Sequence, residues 1–554
     1  MQRGAKQIRG SKQAHSQRGL PPYARYDNCS NLPIIHVGQF RVRDSIAEQG
    51  AASLVDKVLA VHCAEMTIRT NAPRRRSLVR NFLHLGLGQA TTTVLNILLS
   101  AVMARILSPS DYGLAFLLFS IATFTFVIID WGYGPLIVRE TVRDPQRAGD
   151  LFGSAMAARA VATLVACPIV IGATWLLGYD LLTRVLAGAM VLGSLPQYLA
   201  LSFGWVFRAH DRMDRDSQIN VVYKLAAFVC SLAWLALGGR MPGLLFTWTV
   251  AGCFTLGVSV FMYRRLHLPK LSARMSTVRE LLKDGAPIFV MTLAVAVEPV
   301  INANILYKMS SAEVVGWYGA AWTVAGTLIA PATVLVTAVY PRLSAAAGDP
   351  AEFKRNFDIS LRPLFLLAVL GAVGTFLFAN VPVGLIFSLS KYAPSVDTLR
   401  AFAPVMLLMY VDVFLSMAIL AIGRASWLAL VKIASVLLAT GLALILVPFC
   451  QSRFGNGGLG VMYGMLAGEL LAFVASWMLI RTSVDGGAIG DMCRGTLAGA
   501  ATLLLFRLAP DLTPFLAIPL CVVVFAGLSW LLGAVKRTDI DALLASFRKS
   551  PAPG

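Results

Sequence analysis

Ionisable side chains inside long apolar stretches are the residues whose type and position can do chemistry in this sequence. Such a residue is costly in a hydrocarbon core unless it is paired or hydrated, so it marks a substrate or ion pathway. Arg159 and Lys224 lie well inside apolar stretches of the first half of the chain. Cations at that depth predict a site for a phosphate-bearing anion, and Arg105 and Lys432 are further candidates for substrate binding. Snorkelling to the interface or an internal ion pair is the alternative for Arg159 and Lys224.

The second half of the chain differs, because most of its deeply placed ionisable residues are acids. Glu298, Asp412 and Glu469 lie near the middle of apolar stretches, and Asn302 follows Glu298 by one helical turn on the same face. Lys432 is the expected partner of these acids. We predict that Glu298, Asn302 and Asp412, with Glu469 as a further candidate, bind a coupling proton or sodium ion. A carboxylate–lysine network that holds the helices together is the alternative, and the sequence leaves both open.

Two charged residues frame the end of the second apolar stretch. Asp130 and Arg139 are candidates for a cytoplasmic gate, and a fixed interfacial ion pair between them is the alternative. Gly132, Gly134 and Pro135 lie between the two and predict a relaxed or kinked helix end.

Other residue types give no sign of an enzyme or of a metal site. The eight cysteines are far apart in sequence without a CxxC pair, and none of the six histidines pairs at a metal-binding spacing. We therefore expect no metal and no cofactor. The loops after residue 80 are short and carry no paired acidic motif that would activate a sugar donor. A membrane enzyme, such as a glycosyltransferase or a polymerase, remains the alternative to a transport protein.

The composition indicates which elements position these residues. Of 554 residues, 57% are hydrophobic and only 14% are charged, which is typical of an integral membrane protein. The net charge of +19 does not indicate nucleic-acid binding, because Lys and Arg are scattered over short connections between apolar stretches. We expect the lipid bilayer, and no nucleic acid, as a partner.

Apolar stretches follow one another from residue 82 onward, each long enough to cross a core about 30 Å thick at about 1.5 Å per residue. The sequence therefore predicts an all-α, polytopic membrane protein with about fourteen transmembrane helices. Their predicted bounds are 82–104, 114–138, 152–177, 182–206, 218–239, 242–263, 286–308, 312–339, 361–385, 398–422, 426–448, 458–480, 492–509 and 514–534.

The charge of alternate loops predicts the orientation. Most of the Lys and Arg lie in every second loop, above all in the segment 264–285, although one of these loops holds only Arg424; the loops between them hold two at most. The basic loops, and with them both termini, are predicted to be cytoplasmic. Residues 1–80 form a basic segment, of which 1–65 are expected to be a start-site overcall or a disordered tail; a basic arm on anionic lipid is the alternative. Residues 537–554 form a cytoplasmic tail.

An internal repeat predicts two parallel halves. Arg105 precedes ILSPSDY and Gly113, and Lys308 precedes MSSAEVV and Gly316 at an offset of 203 residues, which also relates Arg139 to Arg342. This offset predicts two pseudo-symmetric lobes of six helices each, followed by two extra helices. The predicted N-lobe is 81–263, an amphipathic linker is 264–285, the C-lobe is 286–481, and the extra pair is 482–536.

The chain resembles the oligosaccharide (Wzx-like) flippases of the multidrug/oligosaccharidyl-lipid/polysaccharide exporter superfamily in three short segments. The segment ARILSPSDYG at 104–113 is similar to the family's first-loop pattern, which ends in Tyr-Gly. The segment DWGYGPLIVRE at 130–140 is similar to the Asp-x-Gly pattern with which the second helix of the family ends. The segment VVGWYGAA at 314–321 looks like the counterpart in the second half. The resemblance covers nearly everything after residue 80.

This resemblance implies a V-shaped, two-lobed fold in the bacterial inner membrane. It implies that the protein moves a polyprenyl-pyrophosphate-linked oligosaccharide by alternating access, for exopolysaccharide, lipopolysaccharide or other surface polysaccharide. Lipid-linked oligosaccharide and polysaccharide polymerase machinery are then the expected partners. A cation-coupled drug or metabolite antiporter of the same superfamily is the alternative, although such antiporters usually have twelve spans.

Overall fold

The structure, a computed structural model, describes residues 75–265, 270–484, 487–508 and 512–535. The chain divides into two units, Met1–Arg74 and Arg75–Gly554, and all described residues belong to the second unit. The predictions for the basic N-terminal segment up to residue 74 and for the C-terminal tail therefore lie outside the described residues.

Seventeen α-helices and one short 3-10 helix, Pro145–Arg147, make up the described part of the chain, and no strand occurs in it. In chain order they are α1 Arg75–Ile106, α2 Pro109–Asp130, α3 Tyr133–Arg143, α4 Ala148–Leu176, α5 Leu181–Gly193, α6 Leu195–Ala209, α7 Met213–Ala236, α8 Met241–Arg265, α9 Met275–Met309, α10 Ala312–Ala345, α11 Pro350–Phe378, α12 Asn380–Ile386, α13 Leu389–Ala421, α14 Ala425–Phe454, α15 Gly458–Ile480, α16 Gly487–Leu508 and α17 Pro514–Leu531.

The predicted polytopic architecture is confirmed. Thirteen helical stretches in the described residues are long and apolar enough to cross a membrane, and each overlaps one of the predicted spans. The remaining predicted span, 286–308, lies within the 35-residue helix α9. Three predicted spans are each built from two consecutive helices: α2 with α3, α5 with α6, and α11 with α12.

The break between α2 and α3 is the one that matters for the site. Trp131 and Gly132 both adopt the left-handed conformation, with φ values of 48° and 74°. A tryptophan rarely adopts this conformation, and here its indole Nε1 donates over 2.8 Å to the carbonyl oxygen of Leu282 on α9. The chain therefore changes direction directly after Asp130, as the glycines of this segment predicted.

Corresponding helices make corresponding contacts in the two halves. In the first half, α1 packs on α7 and α7 packs on α8; in the second, α9 packs on α14 and α14 packs on α15. The last two helices, α16 and α17, pack on α11 and on each other. This arrangement matches two six-span repeats with an additional pair.

The two halves meet at the crossing of α2 and α10, and this contact is itself symmetric. A Cβ atom on Gly113 would collide with the carbonyl oxygen of Ala312, and a Cβ atom on Gly316 would collide with that of Pro109. Both pairs are related by the offset of 203 residues. The repeat inferred from the sequence is thus present in the backbone contact between the halves.

Candidate functional site

Arg159 on α4 is enclosed on all sides, with 1% of its side chain exposed. Its guanidinium forms an ion pair with Asp130, the last residue of α2. It also donates to the hydroxyl of Ser202 and, over 3.1 Å, to the carbonyl oxygen of Tyr198, both on α6. The ring centroid of Trp205 lies 4.1 Å from the guanidinium carbon. Arg159 therefore ties α2, α4 and α6 together, and its charge is satisfied within the protein.

Asp130 and Arg139, the two gate candidates, do not pair with each other in the described residues. Asp130 pairs with Arg159, and Nε of Arg139 lies 2.8 Å from Oε1 of Glu140. About half of the Arg139 side chain is exposed, so water solvates its charge, whereas the enclosed Arg159 requires a counter-charge. The alternative of a fixed ion pair between Asp130 and Arg139 was therefore wrong, because Asp130 pairs with Arg159, and the gate stays a prediction.

Lys224 on α7 lies beside a polar face of α1. Its ammonium group donates to the side-chain oxygen of Asn96 over 3.1 Å, and both side chains are at least partly exposed. Gln89, Thr93 and Ser100 share this face of α1 with Asn96, since they recur at intervals of three and four residues. The sequence analysis missed this polar face, and the helical spacing of its members within an apolar stretch was the signal for it.

The four ionisable candidates of the second half come together from four helices. Lys432 on α14 forms an ion pair with Asp412 on α13. Glu298 on α9 and Glu469 on α15 both lie within electrostatic range of this pair. Asn302, one turn after Glu298, is buried. The lysine thus has one of the partners predicted for it, and its role in substrate binding stays a prediction.

This cluster holds three carboxyl groups and a single ammonium group, so it has an excess of acid. One oxygen of Asp412 and one of Glu469 are buried without a hydrogen bond in the described part of the chain. Buried acids without partners favour binding of a proton or of a small cation. Within the described residues, no three His, Cys, Asp or Glu side chains are arranged to hold a metal ion. The arrangement can serve as a coupling site or as a structural network.

Arg105 lies at the end of α1 rather than in the interior of the first half. Its Nη2 donates over 2.5 Å to the carbonyl oxygen of Leu385, and its Nε donates over 3.3 Å to that of Ile386, both on α12 of the second half. Its repeat counterpart, Lys308, donates over 2.8 Å to the carbonyl oxygen of Gly178, which follows α4 of the first half. Two equivalent cations therefore bind carbonyl groups at the end of the third span of the opposite half.

One of the two seams between the halves is sealed where α2 meets α9. The rings of Trp131 and Phe289 are stacked with centroids 4.1 Å apart. A Cβ atom on Gly132 would lie 2.8 Å from Cβ of Ile288, so the helices are in direct contact there.

The equivalent seam between α1 and α10 is open. The counterpart of Trp131 is Val334, which is 60% exposed, and the counterpart of Gly132 is Leu335, which is 43% exposed. The counterpart of Phe289 is Gly86, and no atom lies within 4 Å of the position that its Cβ would occupy. The polar face of α1 therefore adjoins a lateral opening that has no equivalent between α2 and α9.

Comparisons with known proteins bear on the sequence family and on the fold. Residues 78–347 match the model of a family described as polysaccharide biosynthesis protein. No curated protein sequence matches the chain.

Solved structures share the fold at low sequence identity. A structure described as lipid II flippase MurJ in an inward closed conformation has a TM-score of 0.64 at 12% identity, covering 82% of this chain and 99% of that one. An inward-facing multidrug resistance MATE family transporter of the MOP superfamily has a TM-score of 0.58 at 15% identity, covering 76% and 96%. A MOP superfamily transporter from Pyrococcus furiosus has a TM-score of 0.50 at 15% identity, covering 78% and 96%.

These similarities concern the fold, whereas the family model concerns the sequence of the first half and of helices α9 and α10. Both agree with the three segments that carry the resemblance. The chain is a membrane protein with the transporter fold of the multidrug/oligosaccharidyl-lipid/polysaccharide exporter superfamily, and its resemblance to the polysaccharide flippases of that superfamily is confirmed.

Proposed function

We propose that the protein is a flippase that moves a polyprenyl-pyrophosphate-linked oligosaccharide across the bacterial inner membrane by alternating access. The observation that carries this proposal is the open seam between α1 and α10 beside the polar face of α1. A lipid-linked sugar needs a polar interior for its head group and a lateral opening through which its chain stays in the bilayer. A substrate without a lipid chain needs only the first of these.

Lys224 is the cation that we assign to the pyrophosphate. It lies at the polar face of α1, where its ammonium group is bound to a neutral side chain, Asn96, rather than to a carboxylate. A phosphate oxygen can replace this amide and gains a charge-assisted hydrogen bond. Arg159 acts indirectly in this account, since it ties α2, α4 and α6 together instead of binding the substrate.

The acidic cluster around Glu298 is the proposed coupling site, with Asp412, Glu469 and Asn302 as its other members. Its buried carboxyl oxygens without hydrogen bonds support a role for a proton or a sodium ion. The same cluster also favours the second candidate function, a cation-coupled antiporter for drugs or metabolites. An antiporter requires a coupling ion, but it gives no reason for the lateral opening between α1 and α10. We therefore rank it second.

The wider setting of the protein follows from the resemblance and from the loop charges. We propose that both termini are cytoplasmic, that the N-lobe is 81–263 and the C-lobe 286–481, and that residues 482–536 form an additional helix pair. Polysaccharide polymerase machinery is the expected partner in exopolysaccharide or lipopolysaccharide biosynthesis. The family and the similar structures are transporters and flippases, which supports a transport function without a chemical reaction.

Reconstituted protein tests this function directly. Purified protein is placed in vesicles with a prenyl-pyrophosphate-linked oligosaccharide, and the sugar that becomes accessible to a glycosidase outside the vesicles is followed over time. We expect transfer with the wild type and a rate lower by about tenfold with Lys224→Gln, because a charge-assisted bond is lost. Arg355→Gln, which removes a largely exposed cation of α11, serves as the control. No transfer with the wild type would contradict the proposal.

A further inference from the structure

A second cationic site lies at the end of the bundle where α1 ends, and Lys224 does not line it. There an open cleft of about 740 Å³ is lined by Arg105, Lys391, Asn380 and Ser388, among others. From this cleft we infer a binding site for the anionic, phosphate-bearing head group of a lipid. Nothing in the proposed translocation path uses this surface.

The two cations of the cleft are fixed side by side by the backbone. Arg105 donates to the carbonyl oxygens of Leu385 and Ile386, and Nζ of Lys391 donates over 2.9 Å to the carbonyl oxygen of Arg105 itself. These bonds hold both side chains in place. A guanidinium group has five N–H donors and an ammonium group has three, so the bonds to carbonyl groups leave donors for a ligand. Cations positioned in this way are suited to a phosphate group.

The remaining lining of the cleft fits an anion as well. Asn380 contributes an amide and Ser388 a hydroxyl group, both of which can donate to phosphate oxygens. None of the described residues that line the cleft carries a carboxylate. The charge of the described lining is therefore positive, which favours an anionic head group.

The rim of the cleft is apolar, which indicates a lipid rather than a free anion. Leu385 is 73% exposed and Leu389 is 45% exposed, and Pro514 at the start of α17 completes this side. Acyl or prenyl chains can lie against these residues while the head group meets the cations. Since the basic loops predict that this end of the bundle faces outward, a phospholipid of the outer leaflet or a delivered prenyl pyrophosphate would reach it.

The internal repeat supplies a matched control. Lys308 is the counterpart of Arg105 and binds a carbonyl group in the same way, yet it does not line the cleft. If loss of Arg105 acted only by loosening the contact between the halves, loss of Lys308 would have the same effect. A ligand site in the cleft depends on Arg105 and Lys391 and not on Lys308.

Native mass spectrometry of the purified full-length protein tests the site. The probes are phosphatidylglycerol, farnesyl pyrophosphate and inorganic pyrophosphate, with phosphatidylcholine as the lipid without net charge. We expect phosphatidylglycerol or farnesyl pyrophosphate to bind, and Arg105→Gln and Lys391→Gln each to weaken binding by about tenfold or more. Lys308→Gln should leave the affinity unchanged. Asn380→Asp keeps the shape of an exposed side chain and adds a negative charge, so it should also weaken binding.

The two lipid probes identify the source of the head group. Binding of phosphatidylglycerol assigns the cleft to a phospholipid, and binding of farnesyl pyrophosphate alone assigns it to a prenyl carrier. A lipid site would be overturned if inorganic pyrophosphate bound as tightly as the lipid probe that binds best. It would also be overturned if phosphatidylcholine bound as tightly as phosphatidylglycerol. Equal losses in Lys308→Gln and Arg105→Gln would also overturn it. Neither probe has to be translocated, so this result is separate from the outcome of the transport assay.

Discussion

The partners of single charges within the apolar stretches indicate which parts of this bundle are fixed and which are available for function. Arg159 has an acidic partner, two hydrogen-bond acceptors and an aromatic ring around it, so its charge is already satisfied. Lys224 meets only a neutral amide and remains suited to an anion. The difference between these cations lies in their partners, since both stand deep in apolar stretches.

Loss of the partner of Arg159 should be costly. Asp130→Asn leaves a buried guanidinium without a counter-charge, and we expect the free energy of unfolding to fall by about 3–5 kcal/mol. Thermal unfolding of the purified variant measures this effect. Glu140→Gln, which removes the partner of the exposed Arg139, should cost less than about 1 kcal/mol. The double variant Asp130→Asn with Arg159→Met should recover stability, and equal losses in Asp130→Asn and Glu140→Gln would contradict the assignment.

Neutralising Glu298 distinguishes a coupling site from a structural network. If the cluster binds a coupling ion, Glu298→Gln should abolish the dependence of transport on a proton or sodium gradient while the protein remains folded. Ion flux into vesicles, measured together with thermal stability, provides the test. Glu313→Gln on α10 is a matched control outside the cluster. Unchanged ion flux in Glu298→Gln, or a loss of stability without a change in coupling, would favour a structural role.

Depth in an apolar stretch was enough to select these residues from the sequence, but it did not give their partners. The pair of Lys432 with Asp412 was predictable because one lysine faced several acids in the same half. The pair of Arg159 with Asp130 was not, because it depends on how α4 packs against the end of α2 and on the turn at Trp131. Arg105 was assigned to substrate binding, and its bonds to α12 arise from a contact between the two halves that no local pattern shows.

Helix α10 carries the central contact of the bundle at the level of elements. It crosses α2 so closely that neither Gly113 nor Gly316 has room for a side chain. Close approach of small residues is a common way for membrane helices to associate, since it maximises van der Waals contact where no hydrophobic effect acts between helices. The crossing therefore fixes the first half against the second at one end of the bundle.

Adding a single methyl group at this crossing should weaken it. Gly316→Ala places a Cβ atom against a backbone carbonyl group, and we expect a loss of about 1–3 kcal/mol in thermal unfolding together with reduced transport. Gly326→Ala on the same helix has no atom within 4 Å of the new Cβ. Because alanine favours helix, that control should be neutral or stabilising by up to about 1 kcal/mol. Equal behaviour of both variants would contradict the close crossing.

The positions of most helices followed from the sequence, because spans of about 20 apolar residues are a strong physical signal. The interruptions within spans were harder to predict. Gly132, Gly134 and Pro135 indicated the break after α2, but the break between α5 and α6 has no comparable cluster of glycines. Such breaks are set by packing against other helices as well as by local residues.

The two halves of the whole molecule share a backbone repeat but differ in how they are sealed. Their closest contact obeys the offset of 203 residues, as do Arg105 and Lys308 at the same end. The two seams differ in spite of this offset. Trp131 and Phe289 close the seam between α2 and α9, whereas their counterparts Val334 and Gly86 leave the seam between α1 and α10 open. In the proposed function, this asymmetric opening between α1 and α10 is where the lipid chain of the substrate enters.

Photo-crosslinking tests whether the open seam receives the lipid. We expect p-benzoylphenylalanine at Val334 to capture the lipid-linked oligosaccharide in membranes, because this position lies along the opening. The same probe at Phe289, the closed counterpart of Gly86, should capture little or none. Capture at both positions to the same extent, or at neither, would contradict a lateral entrance between α1 and α10.

The repeat could be predicted from the sequence because it rests on a constant offset, whereas the asymmetry of the seams was not predicted. Its signal was nevertheless present, since an aromatic pair in one seam corresponds to a valine and a glycine in the other. Recognising that signal requires knowing that α2 meets α9 and that α1 meets α10. Such pairings follow from the three-dimensional arrangement of the helices.

The exposure of lipid-linked oligosaccharide in each leaflet of the membrane is the measurement that bears most directly on the proposed flippase activity. Cells depleted of the protein should accumulate the precursor in the cytoplasmic leaflet, and wild-type protein should restore its outward exposure. Arg355→Gln should rescue fully and Lys224→Gln should rescue poorly, at comparable protein levels. Outward exposure that is unchanged by depletion would contradict translocation of a lipid-linked sugar and would favour the antiporter.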